Sequence, residues 1–354
     1  MSANVARRPA DPATRREDSN NFTLLRLLLA VLVVIGHYKL LSGAPTSNVP
    51  YNFADAGVDA FFVVSGFLIA GSFERSHGVM SFYTRRIFRL VPMYVFVVLA
   101  QTIFIISWLP AGPFSAIHET LRYLICNLAF ANFAQHDIAG LLQSHLLVPT
   151  LNPSLWTLKI EIGFYLISPA VFMAVRRWGA GVLLGIFVAS ALFEFFGNRL
   201  GLDQYARQLP GQMQFFVVGI ATYYYAQNVR INPIIAFAVS IGFFIIWTWL
   251  WPLPPGIRPL IVGAFVFCFA LQLPVIPLRF DLSYSVYLQH GPMIQILLFL
   301  GLYRDRAWML GAVLVSVLAL SVATEHFVEK PGIAVGKRLA RMLERRQRVS
   351  PSAP

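Results

Sequence analysis

Charge is what this chain has least of. Only 12% of its 354 residues are Asp, Glu, Lys or Arg, whereas 57% are hydrophobic and the mean hydropathy is +0.64. An ordinary soluble domain carries about a quarter charged residues, so that class is excluded. Cysteine is nearly absent. Cys126 and Cys268 each stand in an apolar neighbourhood without metal-ligand spacing, which leaves no disulfide framework, no metal site and no redox compartment to infer. No internal repeat, low-complexity segment or second soluble domain is visible. The apolar segments also lack the apolar–polar alternation of barrel strands, which excludes a membrane β-barrel. Acids are the scarcer sign, 16 against 28 bases, for a net charge of +12.

What is present is a series of long apolar runs. They lie at 22–41, 54–74, 86–108, 154–174, 180–196, 211–227, 233–250, 257–273, 282–300 and 307–328. A spanning helix needs roughly 20 mostly apolar residues. The expected fold is therefore all-α: a polytopic membrane protein with about ten transmembrane helices. Segment 113–153 stays open, because its stretch 117–134 reads as an interfacial or re-entrant helix or as an eleventh crossing. The bases decide the orientation. With ten spans and a cytoplasmic N-terminus, Arg7, Arg8, Arg15, Arg16, Arg85, Arg86, Arg89 and the tail 337–348 all fall inside. Fewer, such as Lys39, Arg122, Arg207 and Arg258, fall outside. That asymmetry predicts both termini in the cytoplasm and explains the positive charge without a nucleic-acid partner. It also lays the basic tail on anionic membrane lipid. The first run resembles a signal peptide in its basic flank, but its length and His37 favour an uncleaved span. Residues 1–19 are expected to be a disordered basic tail, 20–331 the transmembrane domain and 332–354 a basic cytoplasmic tail.

Ionisable groups inside such runs mark cavities or pathways. "RLLLAVLVVIGH" sets Arg26 and His37 eleven residues apart, on one helix face and roughly 16 Å apart along the axis. Snorkelling of Arg26 to the headgroups is the competing reading. In "DAGVDAFFVVSGFLI", Asp55 and Asp59 share a face. Helix capping accounts for Asp55 better than for Asp59, and the small Ser65–Gly66 pair permits close helix contact. "YTRRIFRLVPMY" groups Arg85, Arg86 and Arg89, either as the basic flank of a span or as a phosphate clamp of guanidinium forks. "NPSLWTLKIEIGFYL" buries Lys159 and Glu161. Two residues apart, they do not face each other, so each needs a partner elsewhere. Glu161 and His37 come to a similar depth, which would let them meet as base and orienting acid. "LSYSVYLQHGPMI" places His290 beside Gly291 and Pro292, a kink with one polar group. "EHFVEKP" closes the last run with Glu325 and Glu329, which could contact a nucleotide or cap a helix.

Taken in order, these blocks resemble the acyltransferase-3 family of integral membrane acyltransferases, over about 20–331. The resemblance rests on the Arg-x10-His of span one together with "GVDAFFVVSGFLI", "RRIFRLVPMY", "PSLWTLKIEIGFYL" and "LSYSVYLQH". It implies transfer of an acyl group, commonly acetyl, from cytoplasmic acyl-CoA to a hydroxyl of a carbohydrate or lipid-linked glycan on the outer side. It further implies residence in a bacterial inner membrane and no metal. By that likeness His37 is the essential histidine, Arg26 the span-one arginine, and Arg85, Arg86 and Arg89 the cytoplasmic cluster, all four arginines binding acetyl-CoA. Glu161 matches an acidic position. Asp59 joins His37 and Glu161 as the catalytic candidates, and Trp156, Tyr165 and His290 are candidates for contacting the substrate. Direct transfer and an acyl-histidine relay both remain open. The rival class is a multi-pass transporter without acyl chemistry. Such carriers usually show paired repeats with broken helices, and none is visible here.

Overall fold

A backbone in hydrocarbon must satisfy its own N–H and C=O groups, so each apolar run is expected to become a helix. The computed structural model describes residues 20–43, 53–249, 253–304 and 306–349. The tail 1–19 with its four arginines, and residues 350–354, lie outside the described residues. The helices are α1 (Phe22–Ser42), α2 (Phe53–Glu74), α3 (Val79–Ser107), α4 (Ile117–Leu128), α5 (Trp156–Trp178), α6 (Gly181–Arg199) and α7 (Asp203–Ala206). They continue as α8 (Leu209–Ala221), α9 (Pro233–Trp249), α10 (Ile257–Phe267), α11 (Ser283–Phe299), α12 (Ala307–Thr324) and α13 (Lys330–Val349). Single π turns extend α8, α10 and α12 at Thr222–Ala226, Cys268–Gln272 and Glu325–Glu329. No strand occurs among the described residues.

A helix follows every expected run. Six helices among the described residues are long and apolar enough to cross a membrane. The ambiguous segment 113–153 contributes α4, whose 12 residues reach only about 18 Å, short of a hydrocarbon core. It leaves Ile117, Leu121 and Ile125 exposed along one side. Helix α13 crosses the expected 331/332 boundary and packs on α3, where Gly332 and Gly336 admit Pro92 and Phe88.

α2 is the central helix, packed by α1, α8 and α10. Its crossing with α8 is a backbone-to-backbone contact. A Cβ on Gly66 would overlap the Phe216 carbonyl, and one on Gly219 would overlap the Val63 carbonyl, so only glycine fits at either. Phe216 of α8 also stacks in parallel on Phe164 of α5, with centroids 4.2 Å apart. α6 is the opposite case. Leu184, Leu192 and Phe196 are exposed, as they would be against lipid.

Candidate active site

The site begins with a proline. Pro292 lies inside α11 and has no N–H, so the carbonyl of Leu288 loses its helical partner. Asn152 Nδ2 supplies the missing donor at 2.8 Å. The same Asn152 caps a 3-10 turn, Pro153–Leu155, by accepting from the Ser154 N–H. Gly291 makes room for that turn, since a Cβ there would stand 3.0 Å from Pro153 Cδ. The turn in consequence presents Ser154 Oγ to His290 Nε2 at 3.3 Å.

His290 faces α1, and His37 Nδ1 lies 2.7 Å from His290 Nε2. The tautomers follow from the outer partners. His290 Nδ1 contacts the Val286 carbonyl at 3.2 Å, and a carbonyl only accepts, so that nitrogen carries the proton. Neutral His290 Nε2 is then an acceptor, and His37 Nδ1–H donates to it. His37 Nε2 is left with a free lone pair. His37 lines a cavity of about 460 Å³ together with Asp55, Trp156, Gln204, Arg207, Gln208 and Tyr287. Tyr287 is fixed by a 2.7 Å contact between its OH and Thr157 Oγ1.

Below this histidine cavity the interior narrows. Val58 and Tyr287 also line a middle cavity of about 100 Å³, with Arg26, Glu161, Tyr165 and Tyr284. Arg86 and Arg89 bound the middle cavity as well. They pass on to a third of about 320 Å³, lined by Arg75, Arg85 and Lys337. Three cavities with shared walls therefore run from His37 to a basic end.

At that end acids answer the arginines. Arg26 Nη2 and Arg89 Nη2 converge on Asp281 Oδ2 at 2.5 and 2.6 Å. Arg89 Nη1 also lies 3.3 Å from Glu329, whose other oxygen accepts from Ser285. Arg85 pairs with Glu344 at 2.7 Å, and Arg86 donates to the Leu68 carbonyl. Burial alone would raise the Asp281 carboxyl. The Arg26 and Arg89 guanidiniums overcome that and hold it well below the usual carboxylate range. Asn21 fixes the Asp281 loop to the start of α1, donating to the Pro274 carbonyl at 3.0 Å and accepting from the Ile276 N–H at 2.8 Å. Arg26, Arg85 and Arg86 each keep a buried Nε–H with no hydrogen-bond partner.

The expected residues thus divide. His37 and Trp156 line one cavity with His290 buried behind His37, and Arg26, Arg85, Arg86 and Arg89 line the other two. Glu161 does not pair with His37. It accepts a 2.5 Å hydrogen bond from Tyr165 and lines the middle cavity on the arginine side. The reason is azimuth: Tyr165, four residues on, shares its helix face. Asp59 does not line the histidine cavity either. It is buried 3.2 Å from Arg258, which also pairs with Glu194 at 2.7 Å. Lys159 lies over the Phe133 ring at 4.7 Å. Asp281, Asn152 and Ser154 were not singled out by the sequence. The legible signals were an acid just before a helix in "RFDLSYS" and the Asn-Pro-Ser turn.

Comparison with known proteins identifies the family. A family model described as an acyltransferase domain, that of the acyltransferase-3 family, matches residues 19–326. An O-acetyl transferase of Shigella phage Sf6 is 30% identical over 333 residues, 88% of this chain and 95% of that protein. An exopolysaccharide production protein of Rhizobium meliloti is 29% identical over 84% of this chain and 95% of its own length. A peptidoglycan O-acetyltransferase of Listeria monocytogenes is 29% identical over a shorter stretch, 42% of this chain and 24% of that protein. No solved structure matches the chain. The chain belongs to the acyltransferase-3 family, and with its long apolar helices it is an integral membrane enzyme.

Proposed function

We propose that this acyltransferase carries an acyl group, acetyl by preference, from cytoplasmic acyl-CoA to a hydroxyl of a glycan on the other side of a bacterial inner membrane. The observation that carries the reading is the row of cavities with shared walls. A basic cavity suits the anionic nucleotide of a coenzyme A thioester, because guanidinium forks bind phosphate bidentately. A narrow middle cavity suits a thin pantetheine arm. The thioester then meets the free lone pair of His37 Nε2.

The residues divide the work. His37 Nε2 takes the proton of the acceptor hydroxyl, and the oxygen attacks the thioester carbonyl. The carbon–sulfur bond breaks, and the proton passes from His37 to the departing thiolate. His290 holds His37 in the required tautomer and shares the imidazolium charge while it lasts. Base assistance of this kind contributes about 10² to 10⁴ in rate. Both termini lie in the cytoplasm by the positive-inside rule, which puts the arginine cavity on the acyl-CoA side. The basic face of α13 then lies toward anionic lipid.

The test uses the purified full-length protein in lipid nanodiscs with radiolabelled acetyl-CoA. Release of free thiol, with the label moving to an added glycan, is the expected result. In proteoliposomes, movement of a solute gradient without any thiol release would establish the transporter reading instead.

A further inference from the structure

Beside the histidine cavity lies a smaller niche of about 20 Å³. Four residues, Asp55, Val58, Trp156 and Arg207, line both, so the niche is a side chamber of the larger space. Its inner wall is Gln212, on α8. Gln212 is 3% exposed, and its Oε1 has no hydrogen-bond partner. A buried carbonyl oxygen without a donor has lost its water and gained nothing in return, so it is a feature that calls for a ligand. The charged groups around it are ion-paired. Arg258 bridges Asp59 and Glu194 and lies 5.0 Å over the Phe215 ring, and Arg207 pairs with Asp55 at 3.3 Å.

The size of the niche selects what can fill it. About 20 Å³ holds one water-sized group, since roughly 10–15 Å³ is the minimum for one. A hydroxyl fits, while a carboxylate or an acetamido group does not. A hydroxyl also supplies the donor that Gln212 Oε1 lacks. We propose that Gln212 is a specificity-determining residue, whose Oε1 accepts a hydrogen bond from a second hydroxyl on the acceptor ring whose first hydroxyl meets His37. The inference rests on the reading of the histidine cavity as the acceptor site. Sites built to hydrogen-bond a substrate hydroxyl discriminate strongly against the analogue lacking it, because the buried protein group is then left unpaired.

The test measures thiol release from acetyl-CoA by the full-length protein in nanodiscs. The probes are the methyl glycosides of glucose, galactose and mannose, each with its full set of monodeoxy analogues. For the wild type, besides the analogue that lacks the acylated hydroxyl itself and so cannot react, one further deoxy position is expected to lower kcat/KM by about tenfold or more. In Gln212→Met that ratio falls to near one, because the parent sugar loses activity and the deoxy sugar does not. Gln212→Glu keeps an acceptor oxygen and keeps the ratio above about fivefold. Loss of activity on parent and deoxy sugars in equal proportion would mark Gln212 as structural and overturn the proposal. A wild type that releases thiol to water but gains nothing from any glycoside, or that treats every deoxy analogue as its parent, overturns it as well. A wild type that releases no thiol under any condition overturns the acyl-transfer reading, and this inference with it.

Discussion

At the basic end of the path, Arg26 and Arg89 meet Asp281, Arg89 also meets Glu329, and Arg85 meets Glu344. At the other end, two histidines meet each other and a backbone carbonyl. The first arrangement is charged and partly paired, so an anion arriving there would compete with Asp281 for Arg26 and Arg89. The second is uncharged and directional, and its hydrogen bonds leave one lone pair toward the cavity. On the proposed reading one end holds charge and the other passes a proton. The acids at the first end keep the arginines folded in place when no anion is bound.

The largest blow to this contrast is His37→Ala. Transfer and water-driven thiol release should both fall by about 10³, with the protein still monodisperse by size exclusion and its melting temperature little changed. Retained activity would remove the proton-passing role from that end. His290→Ala should follow at about 10² in kcat with the KM for acetyl-CoA unmoved, because it supports His37 and does not touch the donor.

The basic end should respond in KM instead. Arg89→Gln is expected to raise the KM for acetyl-CoA about tenfold, the worth of one charge-assisted hydrogen bond. Asp281→Asn should lower it about threefold, because the displaced competitor loses its charge. The same carboxylate predicts an acid signature. Its folded pKa lies below its unfolded value, so its contribution to stability is present above about pH 4 and is lost as the pH falls toward the folded value. Thermal melts between pH 3 and 6 should show that loss in the wild type and a flatter profile in Asp281→Asn. A KM that rises in Asp281→Asn would mean that the acid positions the arginines and does not compete for them.

An effect on stability alone separates architecture from chemistry. Asn152→Ala strands the Leu288 carbonyl and should cost about 1–3 kcal/mol of stability. Adding Pro292→Ala returns a helical N–H to that carbonyl and should recover most of it. Additive losses in the double variant, measured by chemical denaturation, would break the link drawn between the proline and the turn.

Much of this was readable in the sequence, for physical reasons that also set the limit. The helices were legible because apolar runs in lipid have few alternatives. His37, His290 and the arginines stood out because each interrupts such a run. The partnerships were not legible. Depth along a helix follows from counting, but azimuth toward a neighbour depends on how helices pack. Glu161, counted to the depth of His37, turns to Tyr165 and the arginine side. Asp281 lies in a connecting loop, where an acid is unremarkable until two guanidiniums meet it. Asn152 gains its meaning only from the N–H that Pro292 lacks, 140 positions away in the chain.

The narrow middle cavity has an electrical consequence. Its 100 Å³ is the smallest of the three in the row, and with acyl-CoA as the proposed donor the anionic nucleotide would stay on the arginine side while only the neutral arm and acyl group reach across. Carrying one elementary charge through a membrane potential is worth about 2.3 kcal/mol per 100 mV. In the proposed reaction no net charge would make the crossing, and the proton taken from the acceptor would leave on a neutral thiol. The cell would decorate its outer glycans without drawing on its membrane voltage, at the same rate in energised and de-energised membranes.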